Sequence, residues 1–177
     1  MKIRKQPQIV QSELNSINKY YDEVAKFGYQ PWKTVRQSNT YGQGQEIYSY
    51  LTNRTHHLYS RGERAPFFAL ERHAAITEIY EQFPLPINET LEIAVKLNIL
   101  HPGAYKERHD HDGVIPAKTM TSDLVVKLMR ADGSEKIKVF SFKYSSALDP
   151  KRSARQAKRT QEKLDLEKKY WEDQEVE

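Results

Sequence analysis

The stretch Thr121-Ser122-Asp123-Leu124-Val125-Val126, followed along the chain by Phe140-Ser141-Phe142-Lys143, decides how this sequence is interpreted. We interpret the two stretches as neighbouring antiparallel strands at about 122–130 and 136–144, with Asp132-Gly133 turning the chain between them. The pair brings an aspartate on one strand close to a lysine on the next. Metal-dependent nucleases have this combination, although ordinary hairpins often contain it too.

Strand alternation sets a condition on this hairpin. Lys143 shares a face of its strand with Val139 and Ser141, opposite the aromatic side chains. For Asp123 to lie on that face, the register must pair residues whose numbers sum to an even value, such as Asp123 with Lys143. We therefore predict an odd-length loop or a bulge, and not a two-residue turn at Asp132-Gly133.

Composition places the chain among globular proteins. Its 177 residues suffice for one domain with a single core. It has no cysteine, which excludes disulfides and thiolate metal sites and fits a reducing cytosol. The formal net charge of +4 is a mild excess that suits a nucleic-acid partner. No apolar run approaches the ~20 residues of a membrane helix, so we expect a soluble, intracellular single domain over residues 1–177.

Apolar periodicity and cap signals predict several further elements. A hairpin is expected from 47–50 with 57–60, around the turn-like Thr52-Asn53-Arg54. Helices are predicted over about 9–27, 64–82 and 88–98, and from Asp149-Pro150 towards the end of the chain.

Asp123 and Lys143 need a further carboxylate if they are to support phosphodiester hydrolysis. Hard oxygen ligands hold Mg²⁺, which activates water and stabilises charge on the phosphate oxygens. Asp123 is then the central ligand, Lys143 positions the water or neutralises developing charge, and Glu63 is the best second carboxylate. The alternative for Glu63 is a capping box with Ser60. Pro66 disfavours that alternative because proline lacks the amide such a helix needs.

Three other polar groups allow more than one interpretation. His56-His57 offers metal ligands, but on a strand only one of the two faces a given site, and a buried or DNA-contacting position is the plainer interpretation. The stretch 107–112 has two histidines suited to Zn²⁺, with a solvated loop as the alternative. The basic half of the last helix fits a phosphate backbone or an ordinary solvated face. Its candidate DNA-binding residues are Lys151, Arg152, Arg155, Lys158 and Arg159.

An ordered set of short motifs runs through nearly the whole chain. It comprises Tyr29-x-Pro31-Trp32-x-Thr34-Val35, His56-His57-Leu58-x-Ser60-x-x-Glu63, Glu81-Gln82-Phe83-Pro84-Leu85, Met120-x-x-Asp123 and Glu162-Lys163-Leu164-x-Leu166-Glu167-x-x-Tyr170-Trp171. In this order and spacing, the set resembles the TnsA endonuclease subunit of heteromeric cut-and-paste transposases. The resemblance implies a restriction-endonuclease-like α/β core, with a mixed β-sheet flanked by helices and an N-terminal helix.

The same resemblance implies an activity and partners. The family uses Mg²⁺, for which Mn²⁺ can substitute, to cut DNA at the 5′ ends of a mobile element in the bacterial cytosol. A TnsB-like transposase joins the 3′ ends, and a TnsC-like AAA+ ATPase regulates both. Because the family continues past Tyr170-Trp171 into another strand and a C-terminal region, we expect residues 1–177 to correspond to the catalytic domain without that region.

Carried over position by position, the resemblance assigns the metal-binding carboxylates to Glu63 and Asp123, and the catalytic lysine to Lys143. The family commonly has Gln or Glu two residues before that lysine, where this chain has Ser141. Serine is a poor Mg²⁺ ligand, so we expect Ser141 to support the site through a water or a neighbouring group. Two alternatives remain: a catalytically impaired subunit that binds DNA or partners, and a restriction or repair nuclease of related fold.

Overall fold

Helices and strands alternate along the chain, which confirms the predicted α/β class. The computed structural model describes residues 5–38 and 43–176. Its elements are α1 (Gln11–Phe27), β1 (Gln45–Ser49), β2 (Arg54–Leu58), α2 (Arg61–Glu71), β3 (Ile76–Pro84), α3 (Ile87–Lys96), β4 (Thr121–Met129), β5 (Glu135–Phe140) and α4 (Pro150–Asp173). Within those two described ranges, no helix is both long enough and apolar enough to cross a membrane.

The strands form two antiparallel sheets. β1 and β2 make the predicted hairpin, with Ile47 opposite His56. The larger sheet has the strand order β3-β4-β5, and both of its ladders are antiparallel. Among the described residues, parallel pairing occurs at the isolated bridge between Gln8 and Pro116, so the larger sheet is antiparallel and not mixed as the resemblance implied. β4 is therefore the central strand of the larger sheet, and β5 lies at its edge.

The helix predicted over 64–82 is wrong in its second half. α2 begins earlier, at Arg61, includes Pro66, and ends at Glu71. Residues 76–84 are strand β3, which pairs with β4 along most of its length. The predicted helix thus combined a real helix with the strand that follows it.

The apolar residues of β3 are spaced in a way that imitates a helix. Ile76 and Ile79 pack in the same core cluster because the register shifts just after Ile76, which adds a residue to the strand. Tyr80 and Phe83 both pack against the opposite cluster, with Gln82 between them at a left-handed φ of 49°. Because of these two irregularities, residues that are three apart along β3 lie on the same face of the strand.

The larger sheet separates two hydrophobic clusters. The cluster beside α3 and α4 consists of Leu85, Ile93, Ala94, Met120, Val125, Leu166, Tyr170 and Trp171. The cluster beside β2 and α2 consists of Leu58, Phe67, Ile76, Ile79, Leu124 and Val126. Successive side chains of a strand point to opposite faces, so Leu124, Val125 and Val126 alternate between the clusters. β4 is buried on both sides and provides a rigid support for Asp123.

The β4–β5 hairpin has the predicted parity. Its ladder runs from Met129 opposite Glu135 to Leu124 opposite Phe140, and every pair of residue numbers has an even sum. The connecting loop, residues 130–134, is accordingly of odd length. An uninterrupted two-residue turn would have reversed the faces of one strand.

The strand predicted over 136–144 ends early. β5 stops at Phe140, so Ser141 and Lys143 lie in the irregular segment that follows and not on the strand. The cause is local, because the amide of Phe142 donates to the side chain of Asp123 instead of joining the ladder. The side chain of Asp123 therefore ends the pairing and binds the segment that carries Lys143.

Helix α4 is divided near its start. Asp149 caps the first turn by accepting the amide of Lys151 at 2.9 Å. Ser153 is non-helical (φ −163°, ψ 104°), and its hydroxyl accepts the amide of Gln156 at 3.2 Å. Ser153 thus caps the main part of the helix. Lys151 and Arg152 lie on a short separate turn, apart from the other basic residues.

Candidate active site

Asp123 and Lys143, predicted as a pair, are in direct contact. Lys143 Nζ lies 2.8 Å from Asp123 Oδ2 and also donates to the carbonyl oxygen of Phe142 at 2.8 Å. The same carboxylate oxygen accepts the Phe142 amide at 2.6 Å. The side chains of Asp123 and Lys143 retain 15% and 34% of their exposure. The pair is therefore fixed by the backbone yet accessible to a ligand.

Glu63, in the first turn of α2, is nearly buried. Its Oε2 accepts the amide of Tyr59 at 3.0 Å, and its Oε1 accepts the hydroxyl of Ser60 at 2.8 Å. Ser60 caps no helix amide through its side chain, so the capping-box alternative is wrong. Burial raises the pKa of Glu63, the hydrogen bonds from Ser60 and Tyr59 oppose that rise, and the charge of Asp123 adds to it. Glu63 and Asp123 thus share one electrostatic environment.

Glu167 is a third carboxylate of this environment, and the sequence analysis did not identify it as a site residue. It lies on α4 with 8% exposure, and its Oε1 accepts the hydroxyl of Ser141 at 2.5 Å. Burial raises the pKa of Glu167, hydrogen bonds from Ser141 and Ser122 lower it, and the charge of Asp123 raises it. Ser141 therefore contacts a carboxylate of the site through its hydroxyl.

A signal for Glu167 was present in the sequence. Tyr170 and Trp171 follow it at the i+3 and i+4 positions, so the three side chains share one face of the helix. An acidic residue on the apolar face of an amphipathic helix is seldom buried without a partner or a function. The burial of Glu167 beside Tyr170 and Trp171 agrees with that pattern.

Asp123 and Glu63 offer carboxylate oxygens, the kind of donor that Mg²⁺ binds. Burial is the main cause of the raised pKa of Glu63 and of Glu167, and the charge of Asp123 raises both pKa values further. Carboxylates held close together repel one another, and a bound cation offsets that repulsion. In the described parts of the chain, no three acidic or histidine side chains are close enough to form a complete ligand cluster. Mg²⁺ commonly takes one or two carboxylates and completes its shell with water, so Asp123 and Glu63 fit this ion.

Comparison with known proteins identifies the family. Residues 73–177 match a family model described as TnsA-like endonuclease N terminal. The chain belongs to the TnsA family. The transposon Tn7 transposition protein TnsA of Escherichia coli is 35% identical over 150 residues, an alignment that covers 84% of this chain and 48% of that protein. The chain thus spans about half the length of this relative. Asp123, Lys143 and Glu167 lie inside the segment matched by the TnsA model, and Glu63 precedes it.

His56, the first histidine of the pair, belongs to a buried network in this TnsA-family chain. His56 is fully buried, with Nδ1 2.7 Å from Glu81 Oε2 and Nε2 2.6 Å from Thr52 Oγ1. Arg54 donates to both carboxylate oxygens of Glu81, at 2.9 and 2.6 Å. Burial alone would raise the pKa of Glu81, but the hydrogen bonds from His56 and Arg54 outweigh it and lower the pKa. The network fixes β2 to β3, which confirms the buried interpretation of His56.

The stretch 107–112 lies on the 3₁₀ helix Tyr105–His111 and its C-cap residue Asp112, ahead of β4. All of its residues except His111 are exposed. Glu107 forms an ion pair with Lys118 at 3.3 Å. These features match the solvated segment that was one of the two interpretations of this stretch.

Basic side chains line a groove between the main part of α4 and the residues that follow α3. The groove has a volume of about 740 Å³. Its cationic residues are Lys118, Arg155, Lys158, Arg159 and Lys163. Arg159 donates to the carbonyl oxygen of Leu100 and, at 3.1 Å, to Glu162, so it also ties α4 to the wall of the groove. Of the predicted DNA-binding residues, Lys151 and Arg152 do not line this groove.

The groove extends towards the candidate active site. Lys163 is an exposed residue, but packing around its ammonium group lowers its pKa, and repulsion from Arg159 and Lys143 lowers it further. The charge of Lys143 therefore acts on Lys163, which lines the groove. Lys163 thus places one end of the groove within electrostatic range of Lys143.

Proposed function

We propose that this chain is the metal-dependent endonuclease subunit of a transposase and cuts DNA at the 5′ ends of a mobile element. Membership of the TnsA family supports this proposal. The observation that supports it most is the 2.8 Å contact of Lys143 with Asp123, beside the buried carboxylates of Glu63 and Glu167. The proposed cofactor is Mg²⁺, with Mn²⁺ as a substitute.

Each residue of the site has a proposed role. Asp123 and Glu63 would hold Mg²⁺, which when bound polarises a phosphate and activates water. Lys143, fixed by Asp123 and a backbone carbonyl, provides a positive charge that offsets the negative charge growing on the phosphate oxygens during hydrolysis. Ser141 orients Glu167 through their hydrogen bond, and Glu167 supplies the carboxylate that a serine cannot provide.

The basic groove is the proposed path of the DNA backbone. Arg155 and Lys158 are exposed and carry charge without any ion pair seen in the described residues. Each phosphate contact releases a counterion, so removing one lowers the salt dependence of binding by a slope of about one. Replacing both residues with alanine should reduce the slope by about two, measured on duplex DNA in EDTA.

A matched control separates this effect from a general loss of charge. Lys19 on α1 is highly exposed and pairs with Glu23 within its own helix. Lys19→Ala should leave both the affinity and the salt slope unchanged. An unchanged slope in the Arg155→Ala and Lys158→Ala double variant would move the DNA path elsewhere.

Cleavage of DNA that carries an element end tests the catalytic proposal. The reaction contains the TnsB-like and TnsC-like partners and either Mg²⁺ or Mn²⁺. Asp123→Asn and Lys143→Met should each lower the rate of 5′ strand cleavage by a factor on the order of 100. Asp22→Asn, which changes an exposed carboxylate of α1, should leave the rate unchanged.

The same assay distinguishes the alternatives. If the wild type cuts no faster than Asp123→Asn, the chain is a catalytically impaired subunit that binds DNA or partners. If it cuts any duplex equally well without its partners, it is a restriction or repair nuclease. Dependence of cleavage on both the element end and the partners supports the transposase subunit.

A further inference from the structure

The aromatic ring of Phe142 rests on the backbone of Gly62. A Cβ atom placed on Gly62 would overlap Phe142 Cε1 and would lie 3.0 Å from Cδ1. Carbon atoms in contact are normally about 3.5–4.0 Å apart, so no side chain fits at this position while the ring stays in place. Gly62 is absent from the described glycines with positive φ, so space and not backbone conformation explains this glycine.

This contact joins the two halves of the candidate active site. Gly62 directly precedes Glu63 on α2. Phe142 directly precedes Lys143, its amide binds Asp123, and its carbonyl oxygen accepts from Lys143. The ring of Phe142 therefore links the helix that carries Glu63 to the segment that carries Lys143 and is bound by Asp123.

A second aromatic residue strengthens the same junction. Tyr144 Oη accepts the amide of Gly62 at 3.3 Å. The rings of Tyr144 and Phe142 meet edge to face, with centroids 6.2 Å apart. The first amides of a helix lack partners inside the helix, so Tyr144 satisfies one of them. The two residues that flank Lys143 thus both rest on the first turn of α2.

We infer that Phe142 is a positioning residue whose ring, seated on Gly62, sets the separation between Glu63 and the Asp123–Lys143 pair. Segment 141–144 follows the end of β5, so the ladder no longer fixes its position. The contact of the Phe142 ring with Gly62, together with the hydrogen bond from the Gly62 amide to Tyr144, holds the segment against α2 instead. The inference rests on the proposed function, because it concerns the alignment of that catalytic site.

A double-mutant cycle tests the inference through the rate of single-turnover cleavage at saturating DNA. A misplacement of about 1 Å in an active site can cost a factor of about 100. We therefore expect Gly62→Ala to lower the rate by about 10- to 100-fold and to raise the Mn²⁺ concentration needed for half-maximal rate. DNA affinity in EDTA should not change, because the basic groove is untouched.

The decisive comparison uses Phe142→Val, which shortens the side chain and leaves room for a Cβ at position 62. This variant should itself be slower, because the contact of the ring with Gly62 is lost. Adding Gly62→Ala to it should change the rate by less than about twofold, since the clash no longer exists. Equal losses from Gly62→Ala in both backgrounds, or no loss in the wild-type background, would overturn the inference.

Folding of each variant is measured in parallel by urea unfolding. If Gly62→Ala does not fold, folding of the double variant supports the inference, and failure of both variants to fold overturns it. Tyr144→Phe keeps the ring but removes the hydrogen bond to Gly62, and it should have a smaller effect than Phe142→Val. Wild type that does not cleave would overturn the proposed function together with this inference. If the wild type cleaves and the effects of Gly62→Ala and Phe142→Val on the rate are additive, the inference alone is overturned.

Discussion

Acidification should destabilise this protein through His101. The ring is fully buried, with Nδ1 2.9 Å from the carbonyl oxygen of Pro102 and Nε2 3.0 Å from Thr90 Oγ1. Burial lowers the pKa of His101 to about 4, and the neighbouring charge of Arg159 contributes to the decrease. The folded protein therefore keeps this ring neutral at pH values where an exposed histidine is protonated.

The size of the effect follows from the difference between the two states. The unfolded chain binds the proton with a pKa near 6.5, and the folded chain with a pKa of about 4. Because the folded pKa is depressed, the contribution of His101 is intact above pH 6.5 and is lost as the pH falls from 6.5 towards 4. Linkage gives a loss of roughly 2 kcal/mol in the free energy of unfolding at pH 5 relative to pH 8.

Urea unfolding of the wild type and of His101→Gln at pH 8 and pH 5 measures this loss. The other titrating groups are present in both proteins, so the difference between their pH dependences isolates His101. The free energy of unfolding of the wild type should fall by roughly 2 kcal/mol more than that of the variant. An equal fall in the two proteins would refute the reasoning.

Three substitutions test other parts of the structure. Arg54→Met leaves the buried carboxylate of Glu81 without its cation and should lower the free energy of unfolding by about 3–5 kcal/mol in a urea titration, whereas a loss under about 1 kcal/mol would contradict the role of the pair. Phe67→Ala empties the core beside α2 and should cost about 3–5 kcal/mol in the same titration, and a much smaller loss would mean that the core collapses around the site. Ser141→Ala removes a hydrogen bond that lowers the pKa of Glu167, so the midpoint of the pH–rate profile for cleavage should move to higher pH, and an unmoved midpoint would separate Glu167 from the reaction.

The β4–β5 hairpin and its register could be predicted from the sequence because strand alternation is a strict geometric rule. The requirement that Asp123 and Lys143 share a face demanded an even register, and the structure has it. The position of Lys143 beyond the end of β5 could not be predicted in this way. It depends on the side chain of Asp123 taking the Phe142 amide, a hydrogen bond that no periodicity encodes.

The wrong prediction of a helix where the structure has β3 has a physical cause in the sequence. Ile76 with Ile79, and Tyr80 with Phe83, are each three apart, which is a helical spacing. The register shift near Ile76 and the left-handed backbone of Gln82 place each pair on one face of a strand. Pairing with β4 stabilises those irregularities, and pairing between distant segments is not visible in local spacing.

Glu167 shows the limit of the site prediction. The residue pattern predicts Glu63, Asp123 and Lys143, and the resemblance to the TnsA family assigns roles to the same three residues. The structure places the charges of all three within electrostatic reach of one another. Glu167 joins them only because α4 packs against the larger sheet, where Ser141 reaches its carboxylate. Its place on the apolar face of the helix was a usable signal, but its neighbours depended on the tertiary fold.

A crystal structure of the protein soaked with Mn²⁺, with the anomalous signal of the ion recorded, tests the central claim most directly. The account predicts an anomalous peak bound by oxygens of both Asp123 and Glu63, with Lys143 beside it and water completing the shell. The same soak of Asp123→Asn should lose the peak. A manganese ion bound elsewhere, or one that touches Asp123 while Glu63 stays out of reach, would contradict the assignment of the two carboxylates to one metal site.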